Sequence, residues 1–385
     1  MGRRDAATNK NERISAMKKI KIGFVGVGCI SGIYLKNFKE TFKNIELVAV
    51  CDLVRERAEK AQKEYGIPKI YDTMHELFAD PEIDIVLNLT RPYEHYEVSR
   101  AALLAGKHVY SEKPLGADFE EGTALVKLAE EKGLWIGGAP DTFLGAGIQT
   151  CRKLIDEGLI GEVIGGRCTM ACHGMESWHP DPDFYYQRGG GPMLDMGPYY
   201  ITALINLLGG VREIYAKART TFKERLITAE PHRGEIIKVT VPTHYECILT
   251  FDSGVSVSFL TSFDLYNPKQ KNIQLYGTKG NITVPDPNTF GAQNGMIYLD
   301  GATGEERELP LEFDYSENSR CLGLADLAAA IENARPPRTS YKQTYHVLEV
   351  MTGAMKSAES GKPYVMTTHF EREAPLDAKA PHGVL

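Results

Sequence analysis

KKIKIGFVGVGCISGIYL, residues 18–35, decides the fold. Ile20, Ile22, Phe24 and Val25 form an apolar run of strand length, and Gly26, Gly28 and Ser31 follow at the G-x-G-x-x-G spacing. The first glycine of such a pattern permits the tight turn, and the second lets backbone approach a pyrophosphate. The third position takes a small residue where helix packs on strand. Ser31 is small enough, Gly32 follows it, and the run from Ile30 to Lys39 is helix-compatible. Glycine turns are common, so the strand before and the helix after give this one its meaning. It predicts a dinucleotide cradle that includes Cys29 and Ile30.

Working outward, ELVAVCD (46–52) is a second strand ending in Asp52, 26 positions after Gly26. An acid at that strand end binds adenosine ribose hydroxyls and repels a 2′-phosphate, which favours NAD. Arg57 is placed to attract a 2′-phosphate, so NADP is disfavoured rather than excluded. The competing reading makes Asp52 an ordinary helix N-cap. A third unit runs from TMHELFADP to IDIVLNL, followed by Thr90, Pro92 and the helix start at His95. HVYSEKPLG (108–116) ends in Glu112-Lys113-Pro114, which sets Lys113 at the carboxyl end of a strand, where doubly wound sheets bind ligands. GLWIGGAP (133–140) closes the alternation of strand and helix. That alternation predicts an α/β chain: a Rossmann domain with a parallel sheet over 18–139, preceded by a disordered tail over 1–17.

Residues 140–385 read as an α+β domain with a large, mostly antiparallel open sheet for substrate binding and oligomerisation. Alternating segments from VREIYAKA to GNITV supply the strands. Two late helical runs, GLADLAAAIENA and YHVLEVMTGAMKSAESG, return towards the nucleotide domain, and the last 18 or so residues are expected to be loosely ordered. An aromatic-rich loop, 174–191, leads into GGGPMLDMGPYY (189–200). Asp195 and Tyr199 are four apart there, so one helix would carry both on one apolar face.

Composition narrows the function. The 385 residues are 43% hydrophobic, with a net charge of −7. Nucleic acid and anionic membrane are poor partners for that charge. No apolar run approaches the ~20 residues needed to span a bilayer, and the N-terminus lacks the apolar segment of a secretory signal. Seven scattered cysteines suit a reducing cytoplasm better than a disulfide framework. Cys168, Cys172 and His173 lie close together without a second ligand pair, so ordinary strand packing is expected and no metal.

Gly26 and Gly28, Asp52, Glu112-Lys113-Pro114 and GGGPMLDMGPYY, in that order, resemble the Gfo/Idh/MocA oxidoreductase family, in its glucose–fructose oxidoreductase and inositol dehydrogenase-like branch. The resemblance covers nearly all of 18–365. It implies NAD or NADP as cofactor, a homodimer or homotetramer, and sugar, cyclitol or glycoside substrates. It also implies that Lys113 is the catalytic lysine and Asp195 the site aspartate. Many members place histidine four positions after that aspartate; some use tyrosine as acid/base, as Tyr199 would be here.

Hydride transfer from a ring secondary alcohol, with C3 of a glycoside favoured, leaves a proton for Tyr199. A free phenol has a pKa near 10, so a cation must help, and Lys113 is the candidate. His179, in the loop, is the rival acid/base. Trp178, Tyr185, His179 and Asp141 are further candidate substrate contacts, and Thr90, Pro92, His95 and Glu112 line the cofactor side. Two alternatives keep the same fold: redox-neutral glycoside cleavage on tightly held NAD, and a non-catalytic NAD-binding regulator.

Overall fold

The computed structural model describes residues 19–266, 273–293, 295–383 and 385; the expected 1–17 tail lies outside them. Six strands form the first sheet: β1 (Ile20–Val25), β2 (Ile45–Cys51), β3 (Lys69–Ile70), β4 (Ile85–Asn88), β5 (His108–Ser111) and β6 (Ile136–Gly138). All pairs are parallel, in the order β3-β2-β1-β4-β5-β6. This is the doubly wound order whose strand direction of travel reverses between β1 and β4, and ligands bind beyond the carboxyl ends at that switch. The central strands are buried on both faces, β4 without exception, which is why they read as continuous apolar runs.

Helices α1 (Ser31–Glu40), α2 (Arg55–Tyr65), α3 (Met74–Ala79), α4 (His95–Leu104) and α5 (Phe119–Lys132) make the crossovers. Their ends follow local chemistry. Thr73 and Glu76 form a reciprocal capping box at α3, and Asp118 caps α5 by accepting from Glu121 N. Gly66 and Gly133 end α2 and α5 in left-handed conformation.

The second half begins with α6 (Ala146–Asp156) and is built on a nine-stranded sheet. Its strands are β7 (Val163–Ala171), β8 (Val211–Arg219), β11 (His244–Phe251), β12 (Ser256–Ser262), β13 (Ile273–Gly277), β14 (Gly280–Val284), β15 (Ile297–Asp300), β16 (Glu306–Glu308) and β17 (Tyr364–Val365). They run β16-β15-β14-β13-β7-β12-β11-β8-β17, antiparallel except for the parallel β7–β12 pair. EIIKVTV departs from the expected sheet. Its β10 (Ile236–Lys238) pairs with β9 (Glu224–Leu226) in a separate hairpin. In β8 and β11 inward residues alternate with outward ones, so one face is packed and the other open.

Helices α7 (Gly191–Asp195) and α8 (Gly197–Leu208) line the packed side, followed by α9 (Leu322–Glu332) and α10 (Tyr341–Ser360). The last two bind the halves together. Gly138 N donates to Thr339 O at 2.9 Å, and Asn44 Nδ2 donates to Ala325 O at 2.8 Å. The final residues are not loose. Phe370 and Leu376 are buried, Arg152 and Arg338 hold the carbonyls of Glu373, Ala374 and Pro375, and Gly383 N donates to Tyr315 Oη. Low regular-structure propensity hid a strap fixed by side chains from distant segments.

Candidate functional site

The cofactor side is built on the turn after β1. Gly26 has φ +95°, and a Cβ there would lie 2.8 Å from the carbonyl carbon and oxygen of Leu89. Only glycine lets this turn pass the end of β4. A Cβ at Gly28 would meet nothing within 4 Å, so its backbone faces open space. Cys29 is exposed and Ile30 half-buried, while Ser31 Oγ closes the loop on Gly28 O at 2.7 Å.

Asp52 clasps this loop to β2. One carboxylate oxygen accepts from Val27 N at 2.6 Å and the other from Val54 N at 2.7 Å. It is not the cap of α2, whose N-cap residue Val54 has no side-chain cap. Each oxygen keeps a further lone pair on a half-exposed side chain, the capacity a ribose diol needs. Arg57 is exposed near the start of α2. The glycine turn, the open Gly28 backbone and Asp52 therefore fit a dinucleotide.

Across the switch point, Thr90 N and Oγ1 donate to Asn88 Oδ1 at 3.2 and 2.6 Å, and Pro92 is half-buried in the turn that follows. His95 is buried between two carbonyls, with Nε2 3.0 Å from Thr90 O and Nδ1 2.8 Å from Pro114 O. Burial pushes its pKa below the ordinary value. His95 thus ties the loop after β4 to the one that carries Lys113.

Two anticipated contact residues point into protein instead. Glu112 is buried, accepting from Tyr34 Oη at 2.8 Å and from Lys113 N at 3.1 Å. Asp141 is 1% exposed, and its carboxylate accepts from Gly323 N at 3.0 Å in the first turn of α9. Burial pushes the Asp141 carboxyl up to about 6. Both stand near the cleft in sequence, but packing turns them away from a ligand.

The substrate side rests on the glycine run. A Cβ at Gly190 would sit 2.4 Å from Phe184 O, so the aromatic loop can fold against it only there. The expected single helix across Asp195 and Tyr199 is broken. α7 stops at Asp195, Met196 has φ −104°, and α8 starts afresh at Gly197. Pro198 explains the break, since it has no N–H to continue the ladder and its ring crowds the carbonyl four residues back.

Lys113 bridges the break. Its Nζ donates to Asp195 O and Oδ1, both at 2.7 Å, and lies 5.3 Å from the centre of the Tyr199 ring. The Lys113 and Asp195 side chains are 16% and 13% exposed. Burial works against the Lys113 ammonium, but the Asp195 carboxylate outweighs it, so the Lys113 pKa is raised.

The aromatic loop covers this pair. Tyr185 is half-buried, and burial, reinforced by the nearby Asp195 carboxylate, raises its phenol pKa. His179 packs edge-on to Tyr185, ring centres 5.2 Å apart, and its Nδ1 accepts from Asp181 N at 3.0 Å. An accepting Nδ1 leaves the ring proton on Nε2. Burial lowers the His179 pKa, so the ring is held as a neutral donor rather than a ready base. Trp178 is 62% exposed beside it.

The loop is anchored below by Glu176, which pairs with Arg225 at 2.8 Å and accepts from Tyr186. Arg225 also pairs with Asp264 at 2.5 Å. Two exposed pairs, Arg91–Asp181 at 3.0 Å and Arg188 with Asp118 and Glu121, reach the nucleotide domain. Cys168 is buried in β7, and the His173 ring stacks on Tyr266 at 3.6 Å.

Sequence reasoning missed Arg320. Burial works against its guanidinium, but the nearby Tyr199, Glu112 and Tyr34 outweigh it, so its pKa is raised; Nη1 donates to Asn318 Oδ1 at 2.9 Å. No motif marks it; the available signal was a lone arginine directly before the apolar run of α9.

Comparison with known proteins identifies the family. Residues 20–137 match the model of an oxidoreductase family with an NAD-binding Rossmann fold, and residues 148–283 match the GFO/IDH/MocA C-terminal domain. The chain belongs to the Gfo/Idh/MocA oxidoreductase family.

An inositol 2-dehydrogenase/D-chiro-inositol 3-dehydrogenase of Lactiplantibacillus plantarum is 33% identical over 150 residues, covering 37% of this chain and 41% of that protein. A trans-1,2-dihydrobenzene-1,2-diol dehydrogenase of Bos taurus is 27% identical, covering 76% of this chain and 80% of that one. The solved structure of a levoglucosan dehydrogenase in complex with NADH superposes with a TM-score of 0.78 at 19% identity, covering 91% of this chain and all of that one, which shows a shared fold.

Proposed function

We propose that this enzyme is an NAD-dependent dehydrogenase that oxidises a ring secondary alcohol of a sugar, cyclitol or glycoside, with C3 of a glycoside the favoured position. The observation that carries the reading is the Lys113–Asp195 pair at 2.7 Å beside the Tyr199 ring, at the carboxyl end of β5 next to the cofactor cradle. Relatives named for inositols and a cyclic diol, and a structural neighbour named for levoglucosan, support that substrate class. NAD is the favoured cofactor because an acid at the end of β2, Asp52, would repel a 2′-phosphate, while the exposed Arg57 would attract one.

When bound, NAD supplies the hydride acceptor; the protein supplies position and charge. Gly26, Gly28 and Ser31 shape the cradle, and Thr90 and Pro92 form its opposite wall, with the buried His95 fixing that wall from behind rather than touching the cofactor. Asp195 orients the Lys113 ammonium. Tyr199 takes the hydroxyl proton as the carbon–oxygen double bond forms, and later passes it to solvent. His179, donating through Nε2, and the faces of Trp178 and Tyr185 hold the ring. The open face of the large sheet, with Ile164, Tyr215, Ile248 and Val365 exposed, supports pairing of copies into a homodimer or homotetramer.

The test is a panel of inositols, monosaccharides and glycosides, each with NAD and NADP, read by absorbance of the reduced nicotinamide. A signal on a cyclic polyol with NAD supports the reading. Turnover of a glycoside without net reduced nicotinamide would overturn it in favour of redox-neutral cleavage.

A further inference from the structure

The hairpin β9–β10 stands apart from both sheets, and it carries a buried cation that holds the neck of the substrate loop. Arg225, in the middle of β9, has a side chain only 4% exposed. Its Nη1 donates to Glu176 Oε1 at 2.8 Å and to His173 O at 3.3 Å. Its Nη2 donates to Phe263 O at 2.8 Å and to Asp264 Oδ1 at 2.5 Å. The second Glu176 oxygen accepts from Tyr186 Oη, ten residues further on, and the Arg225 guanidinium lies 5.5 Å from the Tyr186 ring. One carboxylate therefore closes the stretch 176–186 into a loop and ties it to the hairpin.

The backbone repeats the closure. Thr228 N and Ala229 N donate to Glu176 O at 2.9 and 3.1 Å, and Thr240 N donates to Tyr186 O at 3.0 Å. Gly174, with φ +89°, makes room for the neck: a Cβ there would lie 2.3 Å from Glu176 Oε2 and Tyr186 Oη. Asp264 is fixed in turn by Thr243 Oγ1 at 2.7 Å. Between the neck residues stand Trp178, His179 and Tyr185. The turn Asp183–Tyr186 packs on α7, the helix that ends at Asp195, so a shift of the neck moves these side chains relative to the Lys113–Asp195 pair.

Buried ion pairs add little net stability, because desolvation offsets their attraction. A planar guanidinium adds direction instead, since its forked donors fix two carboxylates at once. We propose that Arg225 is a positioning residue for substrate recognition: by gripping Glu176 and Asp264 it fixes the neck of loop 176–186 and so sets Trp178, His179 and Tyr185 against the substrate ring. It acts through Glu176 rather than on the reacting groups. The proposal rests on the reading above in which those three side chains hold the ring.

The test separates the loop from the chemistry. Arg225→Lys keeps the charge and loses the fork, Arg225→Met loses both, and Tyr186→Phe removes only the hydrogen bond at the neck. The chain has two tryptophans, so in a Trp135→Phe background the fluorescence anisotropy of Trp178 reports the loop alone. NADH titration and thermal unfolding check that each variant is folded. In Tyr186→Phe and Arg225→Lys the anisotropy is expected to fall and KM for a cyclic polyol to rise about tenfold. The single-turnover rate at saturation is expected to change less than about threefold. Arg225→Met is expected to be the most affected, with Arg225→Lys recovering part of the loss.

Unchanged anisotropy and KM in folded Tyr186→Phe and Arg225→Lys overturn the proposal, whether or not the melting temperature falls. A fall in anisotropy with KM unmoved also overturns it: the neck then holds the loop, but the loop does not hold the ring. A wild type that oxidises none of the panel overturns it through the dehydrogenase reading, while the anisotropy still tells whether Arg225 sets the loop.

Discussion

Two cations act electrostatically near Tyr199, and they come from opposite parts of the molecule. Lys113 comes from the end of β5, in a Glu-Lys-Pro segment that follows an apolar strand. Arg320 comes from an irregular loop ahead of α9, clamped by Asn37 of the nucleotide domain. The first is placed by a repeating fold whose strand ends all reach one edge. The second is placed by tertiary contacts between residues nearly three hundred positions apart. The difference separates two kinds of functional information. Strand-end positions are inherited from the periodicity of the chain, whereas Arg320 exists as a site residue only once both halves have docked.

That contrast predicts graded effects. Removing the strand-end cation should be most severe. Lys113→Met deletes the partner of a carboxylate only 13% exposed, and it should lower single-turnover oxidation by ~10²–10⁴-fold, the range of acid–base groups. Stopped-flow nicotinamide absorbance measures it, and a fall below tenfold would put Lys113 outside the chemistry.

The Arg320 side carries a buried cost. The Asp141 carboxyl, near Arg320, is pushed by burial to about 6 from an ordinary 3.8. The folded state therefore holds this proton longer than the unfolded chain does. Stability from this group is complete below pH ~4, falls as pH rises through about 6, and then levels off, with a total loss of about 3 kcal/mol. Asp141→Asn should lack that fall, so its urea midpoint should gain on wild type between pH 4 and 7.5. Parallel profiles for the two proteins would contradict the assignment.

Smaller effects belong to the loop over the pair. His179 holds its proton on Nε2 and acts as a donor, so His179→Gln should cost less than about tenfold in kcat and leave the pH profile in place; a lost pH limb would make it the base. Arg91→Ala removes an exposed pair to Asp181 and should change stability by less than ~1 kcal/mol, with a modest rise in KM as the loop loosens. Thermal unfolding and steady-state kinetics at low and moderate salt check both.

The nucleotide half was legible almost throughout, because each element carries its own signal. β1 and its glycine turn, Asp52 at the end of β2, and Lys113 beyond β5 stand where periodicity and turn chemistry put them. Asp195 and Tyr199 were legible as a pair, but their one-helix geometry was not. Pro198 breaks the helix, and Lys113 restores the alignment across the break. Glu112 and Asp141 misled because proximity in sequence to the cleft says nothing of which way a side chain turns. The closing strap after α10 misled for the opposite reason: it has no periodic pattern, yet Arg152, Arg338 and Gln149 hold it from segments far away in sequence. Arg320 shares that origin, and its only local mark is strain at Cys321, which a sequence does not display.

The central claim is that the phenol of Tyr199, set beside the Lys113–Asp195 pair, moves the proton. Its most direct test is single-turnover hydride transfer by Tyr199→Phe, with a cyclic polyol that wild type oxidises, followed from pH 6 to 10. The variant is expected to lose at least 100-fold in rate and to lose the alkaline-rising limb, while binding NADH within threefold of wild type. A rate near wild type with the limb intact would contradict the account.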